Sequence, residues 1–339
     1  MKKTLIITSL FFLLLLGWFL LPGEAAEDAN NQVIVESITQ LTFNGTGGYR
    51  PDWSPDGKKI AFPRNGTIWI INSDGTDMKQ LTSNIGFNDF PKWSHDGKKF
   101  LFTSRRNDII DGNYPYEVWL MNSDGSDQKF FWQGLGASWT PEDRISFLGG
   151  NSKGDFVLIT VNLNYTDKKE IFSKPFNFEM PSWSPDGTKI AFADNRSGNW
   201  NIYVINADGS NEQQLTEDMV DEWWPSWNPD GTKIVYNKFV RKHFDENGRE
   251  DYDIMAMNND GSNKIRLNKE DGFQLFPSWS PDGNKIVFVK YSEGKGDDIW
   301  VMNLKSAETP VTTTGGKSTP GFESLFAMVC IGAITVLRK

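Results

Sequence analysis

A chain of 339 residues can hold one large domain or two ordinary ones, but 14 Trp, 24 Phe and 31 Gly, with little of an Ala/Leu/Glu helix-forming mixture, point to aromatic strands separated by tight turns. The 35 Lys and Arg face 44 Asp and Glu, and a net charge of −9 without a basic run excludes nucleic acid as a partner. The only cysteine, Cys330, lies in an apolar tail, which excludes an internal disulfide framework and a thiolate metal site.

Met1-Lys2-Lys3, an apolar run from Thr4 to Leu21 and "PGEAA" read as an export signal over residues 1–25. Cleavage after Ala25 leaves small Gly23 and Ala25 at the recognition positions. The run also approaches the ~20 residues that span a bilayer, so an uncleaved anchor is the alternative. Either way the body faces outside the cell.

From residue 32 to residue 305 the chain repeats one unit. "PDWSPDGKKIAF" at Pro51 returns as "PKWSHDGKKFLF" at Pro91 and "PSWSPDGTKIAF" at Pro181, and a tryptophan marks each of six copies: Trp53, Trp93, Trp139, Trp183, Trp227 and Trp279. Steps of 40 to 52 residues between them are the period of a radial array of small sheets. Within a unit the first strand ends in the Trp. The second alternates a basic with apolar residues, as in Lys59-Ile60-Ala61-Phe62. The third is of the type "TIWIIN" or "DIWVMN", and the fourth is a short "QLT". "SPDG" and "NSDG" supply the Asp and the positive-φ Gly of tight hairpins, so their aspartates read as structural. The Trp rings read as filling between neighbouring sheets. The third unit is degenerate, with "WTPEDRISF" in place of the Asp-Gly turn, and is retained as a blade because Trp139, Ile145 and Phe147 hold the register.

"QLT" at Gln40 to Thr42 is a fourth strand without the preceding three, while three strands and no clear fourth follow Trp279. The expectation is an all-β, six-bladed β-propeller of four-stranded antiparallel blades, monomeric, in which the N-terminal strand completes the last blade. The repeats resemble the propeller of the TolB family, whose namesake is the periplasmic component of the Tol-Pal system. The resemblance rests on "W-S-P-D-G-x-K-I-x-F", "D-I-W-V-M-N-x-D-G" and "Q-L-T". It implies a WD40-like propeller fold more than a function. TolB has an additional N-terminal α/β domain for which this sequence offers no room, and the Tol role is not carried over.

After a Thr/Gly-rich spacer at 306–319, residues 320–339 run from Pro320-Gly321-Phe322-Glu323 through an apolar stretch to Arg338-Lys339. This tail resembles the PGF-CTERM sorting signal of archaeal surface proteins. The resemblance implies processing and attachment of the body at the cell surface; a plain C-terminal membrane anchor is the alternative.

Antiparallel meanders put the hairpins on one face and the variable second-to-third and fourth-to-first connections on the other. On the variable face Phe87, Asp89, Glu179, Asp221, Glu222, Trp223 and Gln274 are expected to ring the channel mouth, suited to a cation, a basic peptide or a sugar. Two long loops begin at Ser104 and Lys238. Asp245, Asn247, Asp251 and Asp253 in the second offer oxygen ligands to a divalent cation such as calcium, though without EF-hand order. No other cofactor is expected. Asn44, Asn65, Asn164 and Asn195 begin glycosylation sequons.

There is no G-x-S-x-G elbow and no H-E-x-x-H; His95 stands in a hairpin turn and His243 in a long loop. The expected function is therefore a non-catalytic surface module that binds a protein, peptide or envelope glycan through the variable face. The alternative is a propeller hydrolase or lyase of envelope sugars or peptides, using mouth carboxylates such as Glu179 and Glu222.

Overall fold

The computed structural model describes residues 33–306 apart from 44, 46–49, 84, 107–115, 151, 152, 154, 175–177, 245–249, 269, 271 and 293–295, and the strand-bearing body is one compact unit, Asn31–Ser306. The export, spacer and tail segments, with Ala25, Pro320, Gly321 and Phe322, lie outside the described residues. Among the described residues there are 24 strands in six four-stranded antiparallel sheets and no helix, which is a six-bladed β-propeller. No helix among them is long and apolar enough to cross a membrane.

The first strand, β1 (Val33–Gln40), is followed by blade one: β2 (Asp52–Trp53), β3 (Lys59–Arg64), β4 (Thr67–Asn72) and β5 (Lys79–Gln80). Blade two comprises β6 (Phe87–Trp93), β7 (Lys99–Arg105), β8 (Glu117–Asn122) and β9 (Lys129–Gln133). The degenerate third unit is a full blade of β10 (Leu135–Trp139), β11 (Ile145–Gly150), β12 (Phe156–Val161) and β13 (Lys169–Lys174). Blade four is β14 (Phe178–Trp183), β15 (Lys189–Asp194), β16 (Asn201–Asn206) and β17 (Gln213–Gln214); blade five is β18 (Glu222–Trp227), β19 (Lys233–Phe244), β20 (Glu250–Asn258) and β21 (Ile265–Arg266). The sixth sheet orders β22 (Gln274–Trp279), β23 (Lys285–Ser292), β24 (Gly296–Ser306) and then β1, with Gln40 opposite Trp300.

The repeated residues act at repeated places. In the first hairpin Ser54 Oγ donates to Asp56 at 2.7 Å, the Lys58 N–H donates to the same carboxylate at 3.0 Å, and Gly57 takes φ 68°. The Ser54 hydroxyl, then the Lys58 amide, hold the Asp56 carboxyl below its ordinary range, and Asp186 repeats the arrangement with Ser184 and Thr188. These aspartates are spent on turns.

The core is divided into wedges between neighbouring blades. Each second strand places one large ring there, Phe62, Phe102, Phe147, Phe192, Tyr236 and Phe288, all fully buried. Burial of a side chain of this kind contributes about 2–3 kcal/mol. Four of the six blade Trp residues reach back to the preceding blade: Trp53 Nε1 donates to Ser278 O at 3.2 Å, Trp139 to Lys92 O at 3.3 Å, Trp183 to Ser146 Oγ at 3.0 Å and Trp227 to Ser182 O at 3.1 Å. Neighbouring blades are thereby joined by hydrogen bonds as well as by contact.

Candidate functional site

Five of the six first strands bulge just before their Trp. The register shifts between Asp89 and Lys92, Leu135 and Ser138, Glu179 and Ser182, Trp223 and Ser226, and Leu275 and Ser278. Within these bulges Phe90, Gly136, Trp224 and Phe276 take φ of 55°, 64°, 54° and 57°, and Arg50 ahead of β2 takes 60°. Such a conformation costs a non-Gly residue roughly 1–2 kcal/mol, and a bulge is a device for re-aiming one side chain. Here all five residues line the central channel, where they bound a cavity of about 190 Å³.

The lining is aromatic with one guanidinium. The Arg50 Cζ lies 3.6 Å from the Phe90 ring centroid and 5.1 Å from that of Phe276, the geometry of a cation over aromatic faces. Phe276 packs on Trp224 at 4.3 Å, and Trp224 continues to Trp223 at 5.5 Å and Trp200 at 4.4 Å beyond it. Asp89 stands beside this group. Burial raises its carboxyl pKa, and Arg50, the Phe90 N–H and Arg105 oppose that rise.

The residues expected at the mouth divide by depth. Phe87 is 47% exposed with the Arg105 guanidinium 5.2 Å from its ring centroid. Asp221 accepts the Trp200 N–H at 3.0 Å, and Trp223 stacks on Trp200. Glu179 pairs through its backbone with Ala193, and its side chain lies outside the described residues. Two residues differ from expectation. Glu222 and Gln274 are 0% and 2% exposed, because both occupy the wedge-facing side of their strands beneath the rim. Gln274 donates to Glu270 O at 2.9 Å, whereas neither Glu222 oxygen has a hydrogen-bond partner.

Of the proposed cation ligands, Asp245 and Asn247 lie outside the described residues. Asp251 and Asp253 are strand residues, each 9% exposed, and the Asp253 carboxylate accepts from Arg266 at 2.9 Å and Asn268 at 3.1 Å. No group of three His, Cys, Asp or Glu suited to a metal occurs among the described residues. Among the sequons, Asn65 and Asn164 are exposed in turns, Asn195 is half-buried in one, and Asn44 lies outside the described residues.

Sequence reasoning missed Arg50, Phe90, Trp224 and Phe276. The signal available was the residue before the repeated proline, as in Arg50-Pro51, Phe90-Pro91, Trp224-Pro225 and Phe276-Pro277. Its left-handed backbone, invisible in composition, is what turns it into the channel.

Residues 109–238 match the TolB beta propeller domain, and residues 228–322 match the dipeptidyl peptidase IV N-terminal region. The Tol-Pal system protein TolB of Wolbachia sp. subsp. Drosophila simulans (strain wRi) is 34% identical over 76 residues, which are 22% of this chain and 18% of that protein. The chain thus spans under a fifth of that relative. The structure of a putative TolB from Agrobacterium tumefaciens superposes with a TM-score of 0.60 at 21% identity, over 76% of this chain and 90% of that one. An oligogalacturonate lyase from Vibrio parahaemolyticus gives 0.54 at 14% identity, over 83% and 98%. At these identities the structural likeness is one of fold: a propeller of the TolB type.

Proposed function

We propose that this chain is a non-catalytic binding module of the cell envelope that receives an extended segment of a partner protein in the channel mouth. The observation that carries this reading is Arg50, held over Phe90 and Phe276 beside the half-buried Asp89. Aromatic walls accept apolar side chains, and the guanidinium and carboxyl offer polar contacts. The similarity to TolB, by its name a protein of the Tol-Pal system, supports a protein as partner. Against a hydrolase or lyase stands Glu222, which is sealed beneath the rim and cannot reach a substrate.

The test is capture from envelope extracts by the full chain and by an Arg50→Gly/Phe276→Gly variant. Glycine removes both side chains while tolerating the positive φ, and because Phe276 also packs in the core, a cooperative thermal melt of the variant accompanies the capture. At least tenfold weaker capture of the main partner is expected; equal capture would reject the channel mouth as the site.

Under the same reading the body is exported and held at the cell surface by its tail. Intact mass spectrometry of membrane-extracted protein should find the chain starting at Ala26 and shortened near Pro320. A chain continuing through Lys339 would refute the sorting signal.

A further inference from the structure

Blade three departs from the repeat in a way that leaves space. The outermost pair of residues shared by the first two strands is Asn88 with Ser104 in blade two, apart from the terminal Phe87, and Glu222 with Lys238 in blade five and Gln274 with Lys290 in blade six. In blade three Leu135 faces Leu148, so the matching positions are Gly134 and Gly149, and a third glycine, Gly150, follows. Phe147, Leu148 and Ile159 close over Gly134 and Gly149, where a Cβ would meet atoms within 2.8 Å, whereas a Cβ on Gly150 meets nothing within 4 Å, so the open space lies at Gly150. At the same place the outer strands lengthen: β9 has five residues and β13 six, against two each in β5, β17 and β21.

The consequence is a groove of about 560 Å³ between blades two and three, separate from the channel. Tyr116, Trp132 and Phe156 give it aromatic walls, and Gln133, Asp155 and Lys168 give it hydrogen-bonding groups. Tyr116 and Phe156 are 39% and 38% exposed. Trp132 is held between Phe147, at 5.7 Å, and Tyr165, stacked at 6.4 Å, so its orientation is fixed before any ligand arrives. The volume falls within the roughly 300–1,000 Å³ of small-ligand sites.

We propose that this groove binds a neutral oligosaccharide. A pyranose presents a face of C–H groups that suits the electron-rich face of an aromatic ring, and an edge of hydroxyls that suits a carboxylate, an amide and an ammonium. One anionic and one cationic side chain leave the groove without a charge preference. A peptide added as an extra strand fits less well. Both long outer strands carry an extra residue where their register shifts, Phe131 in β9 and Ile171 in β13, and irregular edges resist strand addition.

The site is independent of the channel, and so is its test. Titration calorimetry of the full chain with maltotetraose, cellotetraose and mannotetraose should give saturable binding of at least one. Trp132→Ala and Gly150→Leu should each weaken it at least tenfold, and Phe276→Gly should leave it unchanged. A Cβ on Gly150 meets nothing within 4 Å and its backbone is not left-handed, so leucine there obstructs the groove without disturbing the core. No binding of any of the three sugars at millimolar concentration would overturn the proposal. So would binding that survives Gly150→Leu, or a groove that takes tetragalacturonate or a peptide in place of the neutral sugars.

Discussion

Between pH 5 and pH 8 the wild-type body should lose about 2–3 kcal/mol of stability that a Glu222→Gln variant keeps. Five blades place a phenylalanine at the centre of the wedge; blade five places Tyr236 there, with Glu222 near it, both fully buried. Neither the Tyr236 hydroxyl nor either carboxylate oxygen has a hydrogen-bond partner. Burial pushes the Glu222 pKa up to about 7. Asp218 adds to the rise, while the Thr216 hydroxyl and Lys238 oppose it. Asp218 is itself ionised, its pKa lowered chiefly by its ion pair with Lys238, so an ionised Glu222 would face a second negative charge.

The folded pKa is raised above the unfolded value of 4.5, so the unfolded chain releases this proton first. Stability is full below about pH 4.5, falls as pH rises toward 7 and stays reduced above it. The turn aspartates, with lowered pKa, act oppositely and only in acid, below their unfolded value of 3.8. Asp89 shifts in the same direction as Glu222, and the Glu222→Gln comparison separates the two. In thermal melts the variant should match wild type at pH 5 and exceed its melting temperature at pH 8 by roughly 4–8 °C. Tyr236→Phe, which deletes an unpartnered hydroxyl, should be neutral or stabilising at both pH values. Identical pH dependence in wild type and Glu222→Gln would disprove the account.

Tyr236 also shows what was and was not legible in the sequence. Blade number, strand order and turn chemistry follow from short-range patterns: period-two alternation, Asp-Gly pairs and a Trp at each turn of the repeat. The candidate site depends on direction. Whether a residue near the mouth faces the channel, the solvent or a wedge is set by the bulge between positions such as Asp89 and Lys92, and one extra residue reverses the face. Hence Asp89 and Trp223 were placed near the mouth, Glu222 and Gln274 proved buried, and Arg50 and Phe276 were overlooked. The three glycines of blade three were visible as letters, but their meaning required knowing which side chains they replace in the other blades.

Removal of residues 33–42 should abolish cooperative unfolding of the body, and the single change Thr42→Val should reproduce part of the effect. β1 pairs along β24 from Val33 opposite Ser306 to Gln40 opposite Trp300. Beyond it the Thr42 hydroxyl accepts the Ile299 N–H at 2.9 Å, the role that Thr82, Thr216 and Asn268 play toward Ile68, Ile202 and Ile254 in other blades. Thr42 Oγ1 also donates to Asp298 at 2.9 Å, and Gln40 Nε2 does so at 3.1 Å. Asp298 is fully buried, and a buried carboxylate deprived of a donor costs about 1–3 kcal/mol. Thr42→Val should therefore lower the melting temperature by several degrees, on the order of 2–4 °C per kcal/mol. The deletion goes further, since it exposes the long edge of β24 and uncovers the wedge where Leu41 packs with Trp53 and Val301. An open edge of that length templates association, so the deleted chain should elute as aggregates in size-exclusion chromatography and melt without a sharp transition. A deletion variant that stays monomeric and melts like the full chain would show that the sixth sheet does not depend on β1.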